Sequence, residues 1–151
     1  MLLAVYVDDV VITSNNSAEI IALKGFLDDK FTIKDLGELN YFLGMEVYRV
    51  PSGLILTQRK FAIDLLKEFQ CDSLSATSCP LGPLSKTHSP DYSLADATTY
   101  RKLVGKLNYL TNTRPDIAFV VQYLSQFLQA PTKSHMTAAF HTLRYIKRDP
   151  S

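Results

Sequence analysis

No stretch of the chain holds 18 or more consecutive apolar residues, so it offers no candidate for a transmembrane helix. The apolar start MLLAVYV has no basic region before it and is cut short by Asp8 and Asp9, which argues against a secretory signal. Cysteine is scarce. Cys71 and Cys79 have neither metal-ligand nor redox spacing, and they fit a reduced intracellular compartment. Internal repeats are lacking, and the 151 residues carry a net charge of only +1. What is present is ordinary globular material. At 46% hydrophobic and 21% charged residues, the chain is no disordered tail and is long enough for a core.

The small net charge hides an asymmetry. Residues 1–98 hold 8 Lys+Arg against 13 Asp+Glu, a balance of −5, whereas residues 99–151 hold 8 against 2, a balance of +6. A basic C-terminal part points to nucleic acid; a set of solvated helix faces fits the same charges equally well.

Apolar runs at residues 3–7 and 10–13 flank Asp8-Asp9 and predict a β-hairpin whose arms expect cover on both faces. Asn16 and Glu19 have the spacing of a capping box, and Ile20, Leu23 and Leu27 continue at helical spacing, which predicts a helix over 17–30. Residues 41–48 read as a strand, Pro51-Ser52-Gly53 as a turn and Leu54-Ile55-Leu56 as the returning strand. Thr57 can cap the next helix, with Phe61, Leu65, Leu66 and Phe69 as its apolar stripe. Residues 71–98, with Pro80, Pro83 and Pro90, lose all periodicity and read as a linker.

Three amphipathic helices are predicted beyond it. Tyr100, Leu103, Val104, Leu107 and Leu110 mark the first. The second begins at Pro115 and continues through Ile117, Val120, Val121, Leu124, Phe127 and Leu128. Met136, Ala139, Phe140, Leu143 and Ile146 mark the third. Gly105, inside the first, costs about 1 kcal/mol against Ala, and a close helix–helix contact is the simplest reason to keep it. The expected fold class is α+β, with two hairpins and helices at residues 1–70, a linker at 71–98 and a helical bundle at 99–151.

Tyr6-Val7-Asp8-Asp9 is the one place where the sequence suggests chemistry. Adjacent carboxylates in a regular strand face opposite ways, but at a hairpin tip both can project forward. Their repulsion is relieved by a divalent cation or, more simply, by water around an ordinary turn. Val5-Tyr6-Val7-Asp8-Asp9-Val10 resembles the YxDD box of reverse transcriptases. The strings KDLGELNYFLGME at 34–46, GLILTQ at 53–58, CPL at 79–81, YRKLVGKLNYL at 100–110, TRPDIA at 113–118 and LRYIK at 143–147 are similar to boxes of copia-type retrotransposon enzymes, in the same order. The closest likeness is to plant copia elements and to short reading frames derived from them in plant organelle genomes.

That resemblance implies an RNA-directed DNA polymerase, here as a partial palm of two β-hairpins plus a helix, followed by a helical thumb-like bundle. It implies that Asp8 and, less centrally, Asp9 bind Mg²⁺ for nucleotidyl transfer. Tyr6 and Val7 would lie beside the primer end and the incoming dNTP. The implied partners are an RNA/DNA hybrid or primer-template and the remainder of a polyprotein, with no membrane. A third palm carboxylate and the fingers would lie upstream of Met1, so the metal site is expected to be incomplete in these residues. The chain is expected to stop before any RNase H domain, and Arg148-Asp149-Pro150-Ser151 departs from the family's glycine-containing continuation.

Lys102, Lys106, Arg144, Lys147 and Arg148 are candidates for phosphate contacts, against an equally weighted reading as helix exterior. Tyr109 and Tyr123 are read first as packing residues and second as stacking platforms. His88, His135 and His141 are read as plain surface or partly packed histidines. Two functions stay open: a polymerase part active within a longer polyprotein, or a non-catalytic or inert remnant of a degraded element. The compartment stays open between a cytoplasmic particle and an organelle. With its hairpin faces uncovered, the isolated chain is expected to be marginally stable or sticky.

Overall fold

The computed structural model describes residues 1–82 and 93–150. Pro83, Pro90 and His88 therefore lie outside the described residues. The class is α+β, with small antiparallel sheets and, among the described residues, five α-helices. The chain divides into two compact units, Met1–Ile55 and Leu56–Ser151.

In the first unit, β1 (Leu2–Tyr6) and β2 (Asp9–Thr13) pair antiparallel from Leu2↔Thr13 to Tyr6↔Asp9. Helix α1 (Ser17–Phe31) starts where Asn16 Oδ1 accepts from the Ala18 N–H at 3.0 Å. Glu19 does not close a capping box: it accepts instead from the Ser14 hydroxyl at 2.9 Å, and Ser14 Oγ in turn takes the Asn16 N–H. The predicted strand 41–48 is interrupted. Leu43 and Gly44 both take positive φ, 50° and 77°, so they form a two-residue turn between β3 (Tyr41–Phe42) and β4 (Met45–Val50). Gly44 serves this turn, which needs its freedom at positive φ. β5 (Gly53–Thr57) completes the sheet order β3-β4-β5.

The second unit contains the core. Helix α2 (Arg59–Glu68) follows Thr57, whose Oγ1 accepts from the Arg59 N–H at 3.0 Å, one residue ahead of the N-cap position. Helices α3 (Ala97–Leu110), α4 (Ala118–Ser125) and α5 (Lys133–Arg148) follow. α5 packs on α2, α3 and α4, and α3 packs on α4. Leu65, Tyr100, Leu103, Leu107, Leu110, Ile117, Leu124, Leu143 and Ile146 are almost fully buried. The predicted stripes thus meet in one cluster, which α2 joins through Ala62, Leu65 and Leu66. The second predicted helix is split: Pro115–Ile117 form a 3-10 turn and α4 ends at Ser125, so Phe127 and Leu128 pack against the core from the following turn.

Gly105 is not kept by a close helix contact. A Cβ built there meets nothing within 4 Å. Residues 74–82, part of the predicted linker, lie along α5. Thr77 N–H donates to Arg144 O at 3.2 Å and Thr142 Oγ1 to Pro80 O at 3.1 Å. Residues 93–95 pair with 131–133 through Ala95 N–H to Pro131 O and Lys133 N–H to Ser93 O, each 2.9 Å.

Candidate functional site

Tyr6 and Asp9 are the last paired residues of the first hairpin, so Val7 and Asp8 make a two-residue turn. Apolar β-formers drive both arms together, and the short turn forces the backbone round. Val7 takes φ 51°, a left-handed conformation that is a genuine outlier for a β-branched residue. Such strain costs on the order of 1–3 kcal/mol and is found most often at functional positions. Tyr6, Val7, Asp8 and Asp9 are all exposed.

The two carboxylates therefore stand in solvent at a strained tip. As hard oxygen donors they suit Mg²⁺, which commonly takes one or two carboxylates together with water and substrate phosphate oxygens. Among the described residues no group of three or more His, Cys, Asp or Glu side chains stands together. What the hairpin offers such an ion is a pair.

The basic candidates occupy unlike surroundings. Lys102 Nζ lies 2.5 Å from Glu68 Oε1, and Lys106 pairs with Oε2 of the same carboxylate. Both lysines, Lys102 first, hold the Glu68 carboxyl below its ordinary range. Arg144 instead donates through Nε to Ser75 O at 2.7 Å and through Nη2 to Ser75 Oγ at 3.0 Å. Lys147 donates to Leu74 O at 2.8 Å. Arg148 is exposed and lines an open cleft of about 320 Å³ with Ser78, Arg114, Asp116, Tyr145 and Asp149.

The string Thr113-Arg114-Pro115-Asp116 explains itself in this cleft. Arg114 grips Asp116 with two bonds, Nε to Oδ1 at 3.0 Å and Nη2 to Oδ2 at 2.8 Å, while Nη1 reaches Asp149 O at 2.5 Å. The guanidinium is the first cause holding the Asp116 carboxyl low; partial burial opposes it and the Tyr145 hydroxyl adds to it. Thr113 Oγ1 donates to Oε1 of buried Gln58 at 2.9 Å, which brings two separate sequence boxes together. Residue spacing gave no signal for this, because the partners are 55 positions apart.

The aromatic and histidine candidates pack. Tyr109 meets Phe61 edge-on at 4.9 Å and Tyr123 meets Phe127 at 5.2 Å. His135 stacks on Phe127 at 3.8 Å and closes a capping box with Thr132, accepting its N–H at Nδ1. His141 Nε2 lies 3.1 Å from Cys79 O, and burial lowers its pKa.

The profile of the reverse transcriptase (RNA-dependent DNA polymerase) family matches residues 1–83. The retrovirus-related Pol polyprotein from transposon RE1 of Arabidopsis thaliana is 42% identical over 150 residues, 97% of this chain and 10% of that protein. The corresponding polyprotein from transposon TNT 1-94 of Nicotiana tabacum is 35% identical over 157 residues, 97% of this chain and 12% of its own length. An uncharacterized mitochondrial protein of Arabidopsis thaliana is 37% identical over 150 residues, 97% of this chain and 61% of that protein. The chain thus spans about a tenth of the transposon polyproteins it matches. No solved structure matches it. The profile match across more than half of the chain places the YVDD hairpin in its family: the chain belongs to the reverse transcriptase (RNA-dependent DNA polymerase) family, in the form carried by Ty1/copia-type Pol polyproteins.

Proposed function

We propose that this chain is the part of a retrotransposon RNA-directed DNA polymerase that carries the catalytic hairpin and the helices beside the duplex, and that it transfers nucleotides only together with the rest of a polyprotein. The observation that carries the reading is the exposed, strained Val7-Asp8 tip inside a matching family segment. Asp8, with Asp9 in a lesser role, would hold Mg²⁺. When bound, the ion would supply Lewis-acid activation of a primer 3′-hydroxyl and charge neutralisation on the departing pyrophosphate. Tyr6 and Val7 would set the place of the primer end and the incoming dNTP. An RNA/DNA hybrid is the polymer partner.

That no third His, Cys, Asp or Glu side chain joins the two carboxylates among the described residues supports a second reading, in which these residues alone are a non-catalytic or inert remnant. The test is primer extension by a longer reading frame that includes the chain, with Mg²⁺ present. Asp8→Asn should abolish extension and leave hybrid binding intact. Extension that survives this substitution removes Asp8 from the metal site. A frame closed by a stop codon or frameshift next to these residues favours the remnant.

A further inference from the structure

We infer that Glu68 is a built-in competitor of the nucleic-acid backbone: Lys102 and Lys106 together take up a phosphodiester by giving up the Glu68 carboxylate in exchange. The inference deepens the polymerase reading above and rests on it.

Lys102 and Lys106 stand four residues apart on α3 and so share one helix face. α3 carries no acidic residue of its own, and the counter-charge comes from Glu68, the last residue of α2. The lysines divide it between them: Lys102 takes Oε1 and Lys106 takes Oε2. A phosphodiester matches that arrangement, because it too spreads one negative charge over two unbridged oxygens. Two ammonium groups placed on the two oxygens of a carboxylate are therefore already placed for the two oxygens of a backbone phosphate.

The carboxylate can leave. The Lys102 side chain is 57% exposed, and those of Lys106 and Glu68 are partly exposed, so water and a polymer both reach the trio. Exposed lysine–carboxylate pairs hold weakly. An ammonium is a compact charge on a flexible stem with three rotatable donors, so it changes partner without losing a fixed geometry. The Arg114–Asp116 pair is built the other way, with two bonds from one guanidinium, an arginine side chain only 12% exposed and a further bond from Tyr145. That pair is a staple, whereas the Glu68 trio is an exchange site. Exchange also selects its ligand. A lone phosphate ion replaces one anion by another and gains little. A strand held elsewhere along its length presents its next phosphate at a high effective concentration and displaces Glu68.

The experiment measures binding of the full chain to a labelled RNA–DNA hybrid across a salt series, with the fold of every variant checked by circular dichroism. Each phosphate neutralised contributes close to one unit of slope in log affinity against log salt. Glu68→Gln removes the competitor and should tighten binding at low salt and steepen the slope by about one. In a Lys102→Gln/Lys106→Gln background the same substitution should change neither, because the lysines carry the effect. Asp64→Asn removes an equal charge from α2 and should act less than Glu68→Gln. Sodium phosphate should displace the hybrid no better than sodium chloride of equal ionic strength. Unchanged affinity and slope in Glu68→Gln, an equal gain from Asp64→Asn, or a gain that persists without the two lysines overturns the exchange while the nucleic-acid reading stands. Stronger displacement by sodium phosphate overturns the selection of a strand over a free ion. No binding by the folded wild type or by folded Glu68→Gln overturns both the exchange and the nucleic-acid reading.

Discussion

Tyr145 donates its hydroxyl to Asp116 Oδ2 at 2.8 Å, tying α5 to the 3-10 turn ahead of α4 across 29 residues of chain. Arg114 holds the same carboxylate and lies over the Tyr145 ring, 5.7 Å from its centroid. The carboxylate is thus the hub of a three-residue staple between two elements of the core.

Removing that hub should destabilise the helical unit. Asp116→Asn weakens both bonds from Arg114, whose side chain is mostly buried, and changes the acceptor facing Tyr145. Hydrogen bonds to charged groups contribute about 1.5–3 kcal/mol, and the partly exposed carboxylate lowers that, so a loss of about 1 kcal/mol is expected. Urea melts followed by circular dichroism measure it. Tyr145→Phe should cost less, because the Arg114 pair survives. Equal losses from both would mean that the guanidinium adds nothing.

The same hub predicts an acid limb. Asp116 is held low first by Arg114, Glu68 first by Lys102 and Asp96 first by the Thr99 hydroxyl. A carboxylate with a depressed folded pKa contributes stability that is complete above its unfolded pKa, about 4, and is lost as pH falls through the folded value. The melting temperature should therefore stay level from about pH 8 to 5 on this account and drop below about pH 4. Asp116→Asn should make the drop shallower. A drop as steep as in the wild type would remove Asp116 from the acid response.

Gly105→Ala should stabilise. Gly105 is exposed on α3, and an added Cβ meets nothing within 4 Å. A helix-interior glycine costs about 1 kcal/mol against alanine, a gain of roughly 4–8 °C in melting temperature for a domain of 60–100 residues. A lower melting temperature would show that position 105 needs its glycine for a reason outside the helix.

Helix stripes were legible in the sequence because burial in the second unit follows helical spacing: Leu103, Val104, Leu107 and Leu110 are all buried as their period implies. The hairpin tip was legible because two apolar arms leave few ways to place Asp8-Asp9. The turn at Leu43-Gly44 was hidden by Leu43, whose apolar side chain continues a strand pattern while its backbone takes positive φ. The fate of the basic residues was hidden for a different reason. Whether a lysine meets Glu68 or an arginine meets Ser75 depends on partners 34 to 69 positions away, and composition carries no such information.

Burial is divided unequally between the two units, and substitutions should report it. Among the described residues of 1–55, Val47 is the sole buried one; Leu2, Leu3, Val5, Val10, Ile21 and Phe26 are exposed. α1 buries none of its residues, although Ile20, Ile21, Leu23, Phe26 and Leu27 surround much of its circumference. A helix apolar on several sides is ordinarily an interior helix of a larger body. Leu107, in contrast, is fully buried. Leu107→Ala should cost about 2–5 kcal/mol and lower the melting temperature of the helical unit sharply. Leu3→Ser, at a side chain 52% exposed, should leave that melt in place and increase the fraction of chain that stays in solution, because it removes apolar surface open to self-association. Thermal melts and sedimentation of the two variants decide the matter. If Leu3→Ser unfolds the protein as readily as Leu107→Ala, residues 1–55 have a core of their own.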